Sequence, residues 1–315
     1  MVFLGTSPYE APALYSLMSH MDFSQGVYYP QGGLYGIIEA LVQIGTKSGV
    51  TYHYGMAATR IISQNGHAKA VEFEGGNQVT ADIVVSNADL HHTEMNLLNS
   101  ADRTYDEKYW SKKQVGPSAL LMYLGVRGDL PELVHHNLLF TADWRSNFAD
   151  IFNAKTWPEP ASIYVCKPSA TDATVAPAGH ENVFVLVPAP ASTDVSEARL
   201  HELADGYLDQ IADMTGIPDL RERVVYKQIY GPQEFATDYN SWQGTALGLS
   251  HRLNQSALFR PSNRSKKLGN LYYVGGNTTP GVGLPMCLIG AELIYKRLAG
   301  DTSAAPLKEL RKILA

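Results

Sequence analysis

The fold of this chain is decided by residues 271–289, which read Leu-Tyr-Tyr-Val-Gly-Gly-Asn-Thr-Thr-Pro-Gly-Val-Gly-Leu-Pro-Met-Cys-Leu-Ile. A short β-rich run ends at two glycines, crosses a loop of Thr, Pro and Gly, and enters an apolar helical run near Pro285. Glycines let a ligand approach the backbone closely. The first N–H groups of the helix and the positive end of its dipole face the loop. The stretch therefore predicts a strand–loop–helix junction that suits a phosphate or a phosphorylated polyol, with an ordinary structural turn as the alternative.

Composition and charge exclude several classes of function. Acidic residues outnumber basic ones by 31 to 25, and the formal net charge is -6. Because no basic stripe is interleaved with aromatic residues, we expect no nucleic acid partner. The two cysteines, Cys166 and Cys287, lie far apart in apolar runs, which predicts buried thiols in a reducing, cytoplasmic compartment. The sequence shows neither a signal peptide at its start nor an apolar run of about 18 residues that could span a bilayer.

Helix and strand patterns alternate over the first hundred residues. Apolar residues at three- and four-residue steps from Leu34 to Ile44 predict a helix with one buried face. The sequence then predicts a strand at 49–54, a hairpin turning at Asn65-Gly66, and a buried strand at 81–86. This order is typical of the later half of a dinucleotide-binding α/β unit.

From about residue 96 the pattern changes to that of an antiparallel sheet. Apolar residues from Leu200 to Met214 share one helical face, and Gly216 with Pro218 ends that helix. Alternating apolar runs predict the sheet strands at 119–126, 162–166, 182–188 and 224–230.

These patterns divide the chain into discontinuous segments. Residues 31–95 and 255–300 are predicted to form one partial, Rossmann-like domain of α/β type that binds a dinucleotide cofactor. Residues 96–254 interrupt it as an α+β substrate domain with an antiparallel sheet. Residues 1–30 are assigned to the substrate domain, and residues 301–315 form a polar tail.

Four stretches carry a resemblance to a known family, namely residues 26–33, 164–172, 177–188 and the glycine-rich 271–289. Together they resemble bacterial-type phytoene desaturases, which are FAD-dependent carotenoid desaturases of the amine-oxidase-like superfamily, and in particular the actinobacterial members. The resemblance covers almost the whole chain. It implies FAD as the cofactor, a carotenoid polyene such as phytoene as the substrate, and desaturation toward lycopene-type carotenoids.

The resemblance also implies which residues contact the cofactor. The glycine pair and Asn277 would approach the pyrophosphate and ribityl chain, Ala58 would touch adenine, and the loop to Pro285 would pass the isoalloxazine ring. Some relatives carry an acidic residue where Asn277 stands, and an amide can make a similar, weaker contact to a ribityl hydroxyl. No catalytic side chain is assigned, because the flavin accepts the hydride. The complete set implied is Ala58, Asn87, Ala88, Gly275, Gly276, Asn277, Thr278, Gly283, Leu284, Pro285 and Met286.

One element of the family is absent from this sequence. The family begins with a strand, G-x-G-x-x-G and a helix, followed about twenty residues later by an acidic residue, and no such element occurs here. We therefore expect this chain to be a C-terminal portion that lacks an N-terminal half and is inactive alone. Two alternatives stay open, namely a related polyene oxidoreductase such as a carotene isomerase, and a non-catalytic remnant or partner subunit.

A lipid-soluble substrate implies contact with a membrane surface. An apolar patch that includes Leu14, Leu17 and Met18 is predicted to dock there peripherally. Aromatic residues of the insert are candidates for lining a polyene channel, although aromatic residues fill any core. They are Tyr123, Phe140, Trp144, Phe148, Phe152, Tyr164, Phe184 and Tyr239.

No metal site or hydrolase site is predicted. The adjacent pairs His91-His92 and His135-His136 should diverge in strands or loops, so we expect neither pair to share a metal. No Cys/His cluster has the spacing of metal ligands. A G-x-S-x-G nucleophile elbow is also absent from the sequence.

Overall fold

The structure is a computed structural model that describes residues 5–307. The side chains of Leu14, Met18 and Asp22 also lie outside the described residues. The predicted segments 1–30 and 301–315 are therefore described only in part. Within residues 5–307 no helix combines the length and apolar character needed to cross a membrane.

Strands and helices are numbered here in chain order. The strands are β1 (Ala58–Gln64), β2 (His67–Phe73), β3 (Gln78–Thr80), β4 (Val84–Ser86), β5 (Ser118–Arg127), β6 (His136–Leu139), β7 (Ile163–Cys166), β8 (His180–Ala189), β9 (Val224–Tyr230) and β10 (Leu271–Tyr273). The helices are α1 (Ser16–Gln25), α2 (Tyr35–Lys47), α3 (Leu90–His92), α4 (Glu107–Trp110), α5 (Trp144–Ala149), α6 (Glu197–Thr215), α7 (Leu220–Arg223), α8 (Pro232–Asp238) and α9 (Leu284–Leu298).

The chain forms two compact units, and both are discontinuous in sequence. The first contains Met1–Ala11, Tyr54–Gly116 and Phe235–Ala315, and the second contains Pro12–His53 and Pro117–Glu234. The whole of 31–95 was predicted to lie in the cofactor domain, whereas residues 31–53 fall in the second unit. The functional domain bounds stay predictions.

The first unit holds two small sheets. Strands β1, β2 and β3 form an antiparallel sheet, and the predicted hairpin between β1 and β2 is confirmed. Its turn residues Asn65 and Gly66 both have positive φ, 52° and 74°, as a type I′ turn requires. Strands β4 and β10 pair in parallel, with Tyr273 opposite Ser86.

A buried core fixes the position of β10 in the first unit. Leu271 and Tyr273 are 0% and 1% exposed, and they belong to one apolar cluster with Val84 of β4, Trp110 and Leu249. Burying each large apolar side chain contributes about 1.5–3 kcal/mol. The end of β10 is thereby fixed, and the glycine-rich loop starts from it.

The second unit is built on a five-stranded antiparallel sheet in the order β6-β7-β8-β5-β9. Four of its strands match the predicted ones, and the edge strand β6 was not predicted. One face of the sheet packs against α6, whose Leu203, Tyr207 and Ile211 are at most 2% exposed. Ser196 caps α6 by accepting a hydrogen bond from the Arg199 N–H at 3.2 Å, which confirms the predicted amphipathic helix.

Two predictions within residues 31–54 are wrong. Residues 49–54 form no strand. Helix α2 forms as predicted, but none of its residues is buried. Leu41 and Ile44 are among its exposed apolar side chains, and Leu34, which precedes the helix, is exposed too. The periodicity predicted the apolar face correctly, but in this chain no described element covers it.

Candidate functional site

The carboxyl ends of the parallel strands β4 and β10 open onto a cavity of about 520 Å3. Asn87 and Ala88 follow β4, and Gly275 and Gly276 follow β10 shortly after its end. Ligands of α/β sheets bind at the carboxyl ends of parallel strands, and small-molecule pockets have volumes of about 300–1,000 Å3. The cavity is therefore the candidate site of the first unit.

The loop between β10 and α9 has the backbone geometry that its glycines predict. Gly275 has φ 118°, and a Cβ at this position would lie 3.2 Å from Asn87 Oδ1. Gly283, with φ 121°, precedes α9, which begins at Leu284 with Pro285 in its first turn. Proline suits this place because the missing N–H would have no helical acceptor. The predicted strand–loop–helix junction is confirmed.

The Asn277 side chain joins the two sides of the cavity. Its Oδ1 accepts a hydrogen bond from the Leu249 N–H, and its Nδ2 donates to Asp89 Oδ2, both at 2.8 Å. Asp89 Oδ1 accepts from the His92 N–H at 3.1 Å and so caps α3. Burial raises the pKa of Asp89, and these hydrogen bonds oppose the rise. Asn277 lines the cavity, but both polar atoms of its side-chain amide bond to other protein groups. Its contact with the ribityl chain stays a prediction.

Two buried polar residues donate hydrogen bonds to carbonyl oxygens of the glycine-rich loop. The Arg260 guanidinium, in a residue only 4% exposed, donates to the carbonyl oxygens of Gly276 and Leu249 at 2.5 and 3.2 Å. Asn263 donates from Nδ2 to the Thr279 carbonyl oxygen at 2.9 Å. Hydrogen bonds from charged donors are the stronger ones. Neither residue was predicted as part of the site, because nothing in the local sequence pattern marks them.

A buried acid anchors β10. Glu94 is fully buried and accepts hydrogen bonds from the N–H groups of Thr104 and Tyr105 at 2.7 and 3.0 Å, and from the Tyr273 hydroxyl. Burial raises the pKa of Glu94, and the hydrogen bond from Tyr273 opposes that rise. The only sequence signal for this residue is that it is the single acid between Leu90 and Leu98.

The structure brings together some of the predicted cofactor contacts and not others. The predicted residues that line the cavity are Asn87, Ala88, Gly275, Gly276, Asn277 and Thr278. The predicted residues outside the described lining are Ala58, Gly283, Leu284, Pro285 and Met286. Ala58 begins β1, and the last three open α9. Cofactor contacts for all of these residues stay predictions.

A second segment lines the cavity, and the sequence did not predict this segment as part of the site. It runs from Phe235 to Gly248 and includes Tyr239, one of the predicted aromatic candidates. Gly248 has φ 71°, and a Cβ on it would clash with the Asn277 amide. The available sequence signal was the glycine pair Gly244 and Gly248. This pair does not lie between a strand and a helix, as the glycines of a dinucleotide-binding motif do, so the sequence did not predict a role for it.

The two histidine pairs differ in their geometry. The His91 ring lies between Trp110 and Trp242, with ring centroids at 5.1 and 5.3 Å, so it fills a core. For His135 and His136 the predicted divergence is wrong, since their ring centroids are 4.3 Å apart. Strand β6 begins at His136, so His135 lies outside the ladder and strand alternation does not separate the rings.

Residues 1–292 match the family of flavin containing amine oxidoreductases, and the chain belongs to this family. The match confirms the resemblance inferred from residues 26–33, 164–172, 177–188 and the glycine-rich 271–289. It also confirms that this is an oxidoreductase family and that its cofactor is a flavin, FAD.

Two curated relatives that match this chain are carotenoid enzymes. A carotenoid 3,4-desaturase of Haloarcula japonica is 47% identical over 96% of this chain and 60% of its own length. A zeta-carotene-forming phytoene desaturase of Myxococcus xanthus is 37% identical over 94% of this chain and 57% of its own length. The chain thus spans about 60% of the length of the curated relatives it matches.

Solved structures support the fold. An oxidoreductase from Methanosarcina mazei aligns with a TM-score of 0.55 and 19% identity, over 89% of this chain and 58% of its own length. A protein from Pyrococcus furiosus aligns with a TM-score of 0.54 and 15% identity, over 87% and 54%. At this identity the likeness concerns the fold alone, and it confirms the predicted fold class.

The residues around the cavity fit part of a flavin dinucleotide. Gly275 stands where a Cβ would crowd Asn87, so the backbone forms a narrow cradle at the ends of the two strands. The cavity lining combines backbone, amide and hydroxyl groups with apolar side chains, as in other cofactor pockets.

Proposed function

We propose that this chain provides the flavin cradle and the substrate-binding sheet of an FAD-dependent desaturase that removes two hydrogens from phytoene or a closely related carotenoid. The observation that carries the proposal is the glycine cradle at the ends of β4 and β10, in a chain that is similar to a carotenoid 3,4-desaturase and a phytoene desaturase. When bound, FAD supplies the hydride acceptor that no protein side chain provides.

The residues of the first unit hold and orient the cofactor in this proposal. Gly275 and Gly276 allow close approach of the backbone, and Arg260 fixes the carbonyl of Gly276. The Asn277–Asp89 hydrogen bond keeps the loops after β4 and β10 at a constant separation. No acid or base is assigned to the reaction, because the hydrogens leave an apolar carbon chain.

The free face of the five-stranded sheet is the proposed support for the polyene. Along β5 and β8 buried residues alternate with half-exposed ones. The half-exposed side includes Tyr123, Phe184 and Tyr164, and the Tyr123 and Phe184 rings lie 5.4 Å apart. Leu121 of β5 pairs with Leu186 of β8 on this same face of the sheet. Such an aromatic and aliphatic surface suits a conjugated hydrocarbon.

We further propose that a segment outside this sequence completes the enzyme. It would carry the G-x-G-x-x-G unit that this sequence lacks and would correspond to the length of the relatives that the chain does not match. The parallel sheet of the first unit has two strands among the described residues. Parallel sheets are normally larger and covered on both faces, so added strands would complete it.

Product analysis tests the proposed activity. The chain is expressed with the N-terminal segment of the Haloarcula japonica relative in cells that supply phytoene, and carotenoids are separated by chromatography. We expect more unsaturated carotenoids from the pair of polypeptides and none from the chain alone. The variant Gly275→Val, which fills the cradle, should abolish the product. Absence of product from the intact pair would favour a non-catalytic role.

A second candidate function is desaturation at the 3,4 bond of a later carotenoid. It is favoured by the higher identity to the carotenoid 3,4-desaturase, 47% against 37% for the phytoene desaturase. Supplying phytoene to one culture and a carotenoid with a saturated 3,4 bond to another separates the two candidates. An isomerase would change retention without changing the mass of the product.

Peripheral docking on a membrane surface is part of the proposal. The side chains of Leu14 and Met18 lie outside the described residues, and Leu17 is 56% exposed. Phe23 and Tyr28, 92% and 87% exposed, extend this apolar segment. Replacing both by Asp should reduce sedimentation of the completed enzyme with lipid vesicles. Leu258→Asp, at an equally exposed apolar position, is the control, and equal loss in both variants would contradict a specific patch.

A further inference from the structure

A cluster of two imidazoles and a thiol lies at one end of the five-stranded sheet. His136 of β6 is paired directly with Cys166 of β7 in the antiparallel ladder, so their side chains share one face. His135 adjoins them just before β6. One ring nitrogen from each histidine and the Cys166 sulfur all lie within 4.8 Å of one another. These groups come from positions about thirty residues apart, and the sheet brings them together.

The His135 ring is arranged as a metal-binding imidazole is. Its Nδ1 lies 2.7 Å from Thr171 Oγ1, and Thr171 directs its own proton to the Pro168 carbonyl oxygen at 3.5 Å. We assign the tautomer in which Nδ1 donates to the threonine oxygen, which leaves the lone pair on Nε2. His135 Nε2 is buried and has no hydrogen-bond partner among the described residues. A histidine that donates from one nitrogen and offers the other is the usual ligand arrangement.

The His136 ring presents a second lone pair beside the thiol. Its Nδ1 lies 2.8 Å from the Tyr164 hydroxyl and 3.9 Å from Cys166 Sγ. Because the phenol is the natural donor in the first contact, Nδ1 is an acceptor facing the sulfur. An ion bound there would take over this lone pair, with the Tyr164 oxygen or a water as its fourth neighbour.

The distances match the size of a tetrahedral site. Zn–S and Zn–N bonds of about 2.3 and 2.0–2.1 Å place the ligand atoms roughly 3.3–3.6 Å apart. The present separations, of 3.9 Å for the sulfur and His136 Nδ1 and up to 4.8 Å overall, require each side chain to move by about 1 Å or less. Two imidazoles and a thiolate suit zinc and disfavour magnesium or calcium.

We propose that His135, His136 and Cys166 form a site for one transition-metal ion, with Zn2+ as its occupant. The site keeps a fourth position open to water or to Tyr164. Binding releases the thiol proton of Cys166 to solvent and involves no redox step. Thr171 is a positioning residue, because it orients His135 without touching the ion.

Metal titration of the 315-residue chain tests the site. We expect one Zn2+ per chain by calorimetry, and with Co2+ as the probe a thiolate-to-metal charge-transfer band. Cys166→Ser should abolish the band, and His136→Gln, at an exposed position, should weaken binding at least 10-fold. Thr171→Val should weaken it by about 10–100-fold, as loss of a supporting partner does, and should keep the band.

Matched controls exclude binding elsewhere. Cys287→Ser replaces the second cysteine and His180→Gln replaces a histidine outside the cluster, and both should keep the band and the affinity. Circular dichroism verifies that each variant is folded. The proposal is overturned if folded wild-type chain gives no charge-transfer band, or if His136→Gln binds as tightly as wild type. If Cys166→Ser does not fold, His136→Gln decides the question.

Discussion

Gly248 shows at the scale of a single residue how the cavity is built. Its φ of 71° is in the left-handed region, and its Cα faces the Asn277 amide closely enough that a Cβ would clash with it. The same amide accepts from the neighbouring Leu249 N–H. A side chain at 248 would therefore disturb both the backbone of its own segment and the loop that carries Gly275.

We predict that Gly248→Ala destabilises the protein by about 1–3 kcal/mol, since a non-glycine residue in left-handed conformation and a displaced hydrogen-bonded amide both cost free energy. The measurement is chemical denaturation followed by circular dichroism. Gly179→Ala is the matched control, because Gly179 has nearly the same φ, 73°, with no atom within 4 Å of an added Cβ. Equal losses in the two variants would show that Asn277 imposes no additional cost.

Glu94 is the residue through which pH should act on the fold. Its carboxyl is buried under β10, and burial raises its pKa above the ordinary value. The protonated acid is therefore the form that the folded state favours. Its contribution to stability is complete below the unfolded pKa of about 4.3 and is lost as the pH rises through the higher folded pKa.

We predict that the unfolding free energy of wild type minus that of Glu94→Gln decreases as the pH rises through this window. The amide keeps an acceptor for the Thr104 and Tyr105 N–H groups but cannot ionise. Urea denaturation at a series of pH values measures the difference. Glu39→Gln, at an exposed position of α2, is the control and should give a flat difference. A gap that widens with pH would contradict the raised pKa.

At the scale of elements, α2 and α6 make a direct comparison. Both have an apolar stripe at helical spacing, and the sequence predicted a buried face for each. Helix α6 buries its stripe against the sheet of the second unit, whereas α2 has no buried residue. Periodicity predicts that a helix has an apolar face, but only the tertiary structure shows whether another element covers it.

We predict that the double substitution Leu41→Lys and Ile44→Lys raises the solubility of the isolated chain and changes its unfolding free energy by no more than about 0.5 kcal/mol. These side chains are 47% and 61% exposed, so little packing is lost and an apolar patch is removed. Light scattering and denaturation measure the two effects. Leu203→Lys in α6, at a position 2% exposed, is the comparison and should unfold the second unit. A large loss of stability from the α2 variant would show that its face is covered in solution.

At the scale of the whole molecule, the apolar surfaces of the first unit are unevenly covered. Helix α9 follows the glycine-rich loop and is strongly apolar, yet Leu284 and Leu288 are 65% and 60% exposed. Val85, in the two-stranded parallel sheet, is 47% exposed. Apolar exposure of this extent, beside a cavity at the strand ends, is what we expect of a nucleotide-binding unit that needs further strands and helices.

We predict that the isolated chain retains far less than one flavin per chain after purification, because in the proposed function the G-x-G-x-x-G unit that this sequence lacks holds the other part of the dinucleotide. Adding a polypeptide that carries the G-x-G-x-x-G unit should raise the flavin content toward one per complex. Absorbance of the flavin released on denaturation gives the ratio. A stoichiometric yellow preparation of the isolated chain would contradict the prediction.

The sequence by itself determined the features that local patterns encode. Turn chemistry predicted the glycine-rich junction at 275–283 and the Asn65-Gly66 hairpin. Apolar periods of two and 3.6 residues predicted the central strands and α6. The same junction, with three further stretches, carried the resemblance to the family that the match over residues 1–292 confirms. These properties are short-range, so they can be predicted without coordinates.

Only the tertiary structure decided which distant side chains meet. Asn277 bonds to Asp89 across 188 positions, and Glu94 bonds to Tyr273 across 179. The imidazoles of His135 and His136 reach Cys166 through the pairing of β6 with β7. Such contacts depend on strand register and on burial, which no local pattern specifies, because they arise when the core closes around residues that are far apart in sequence.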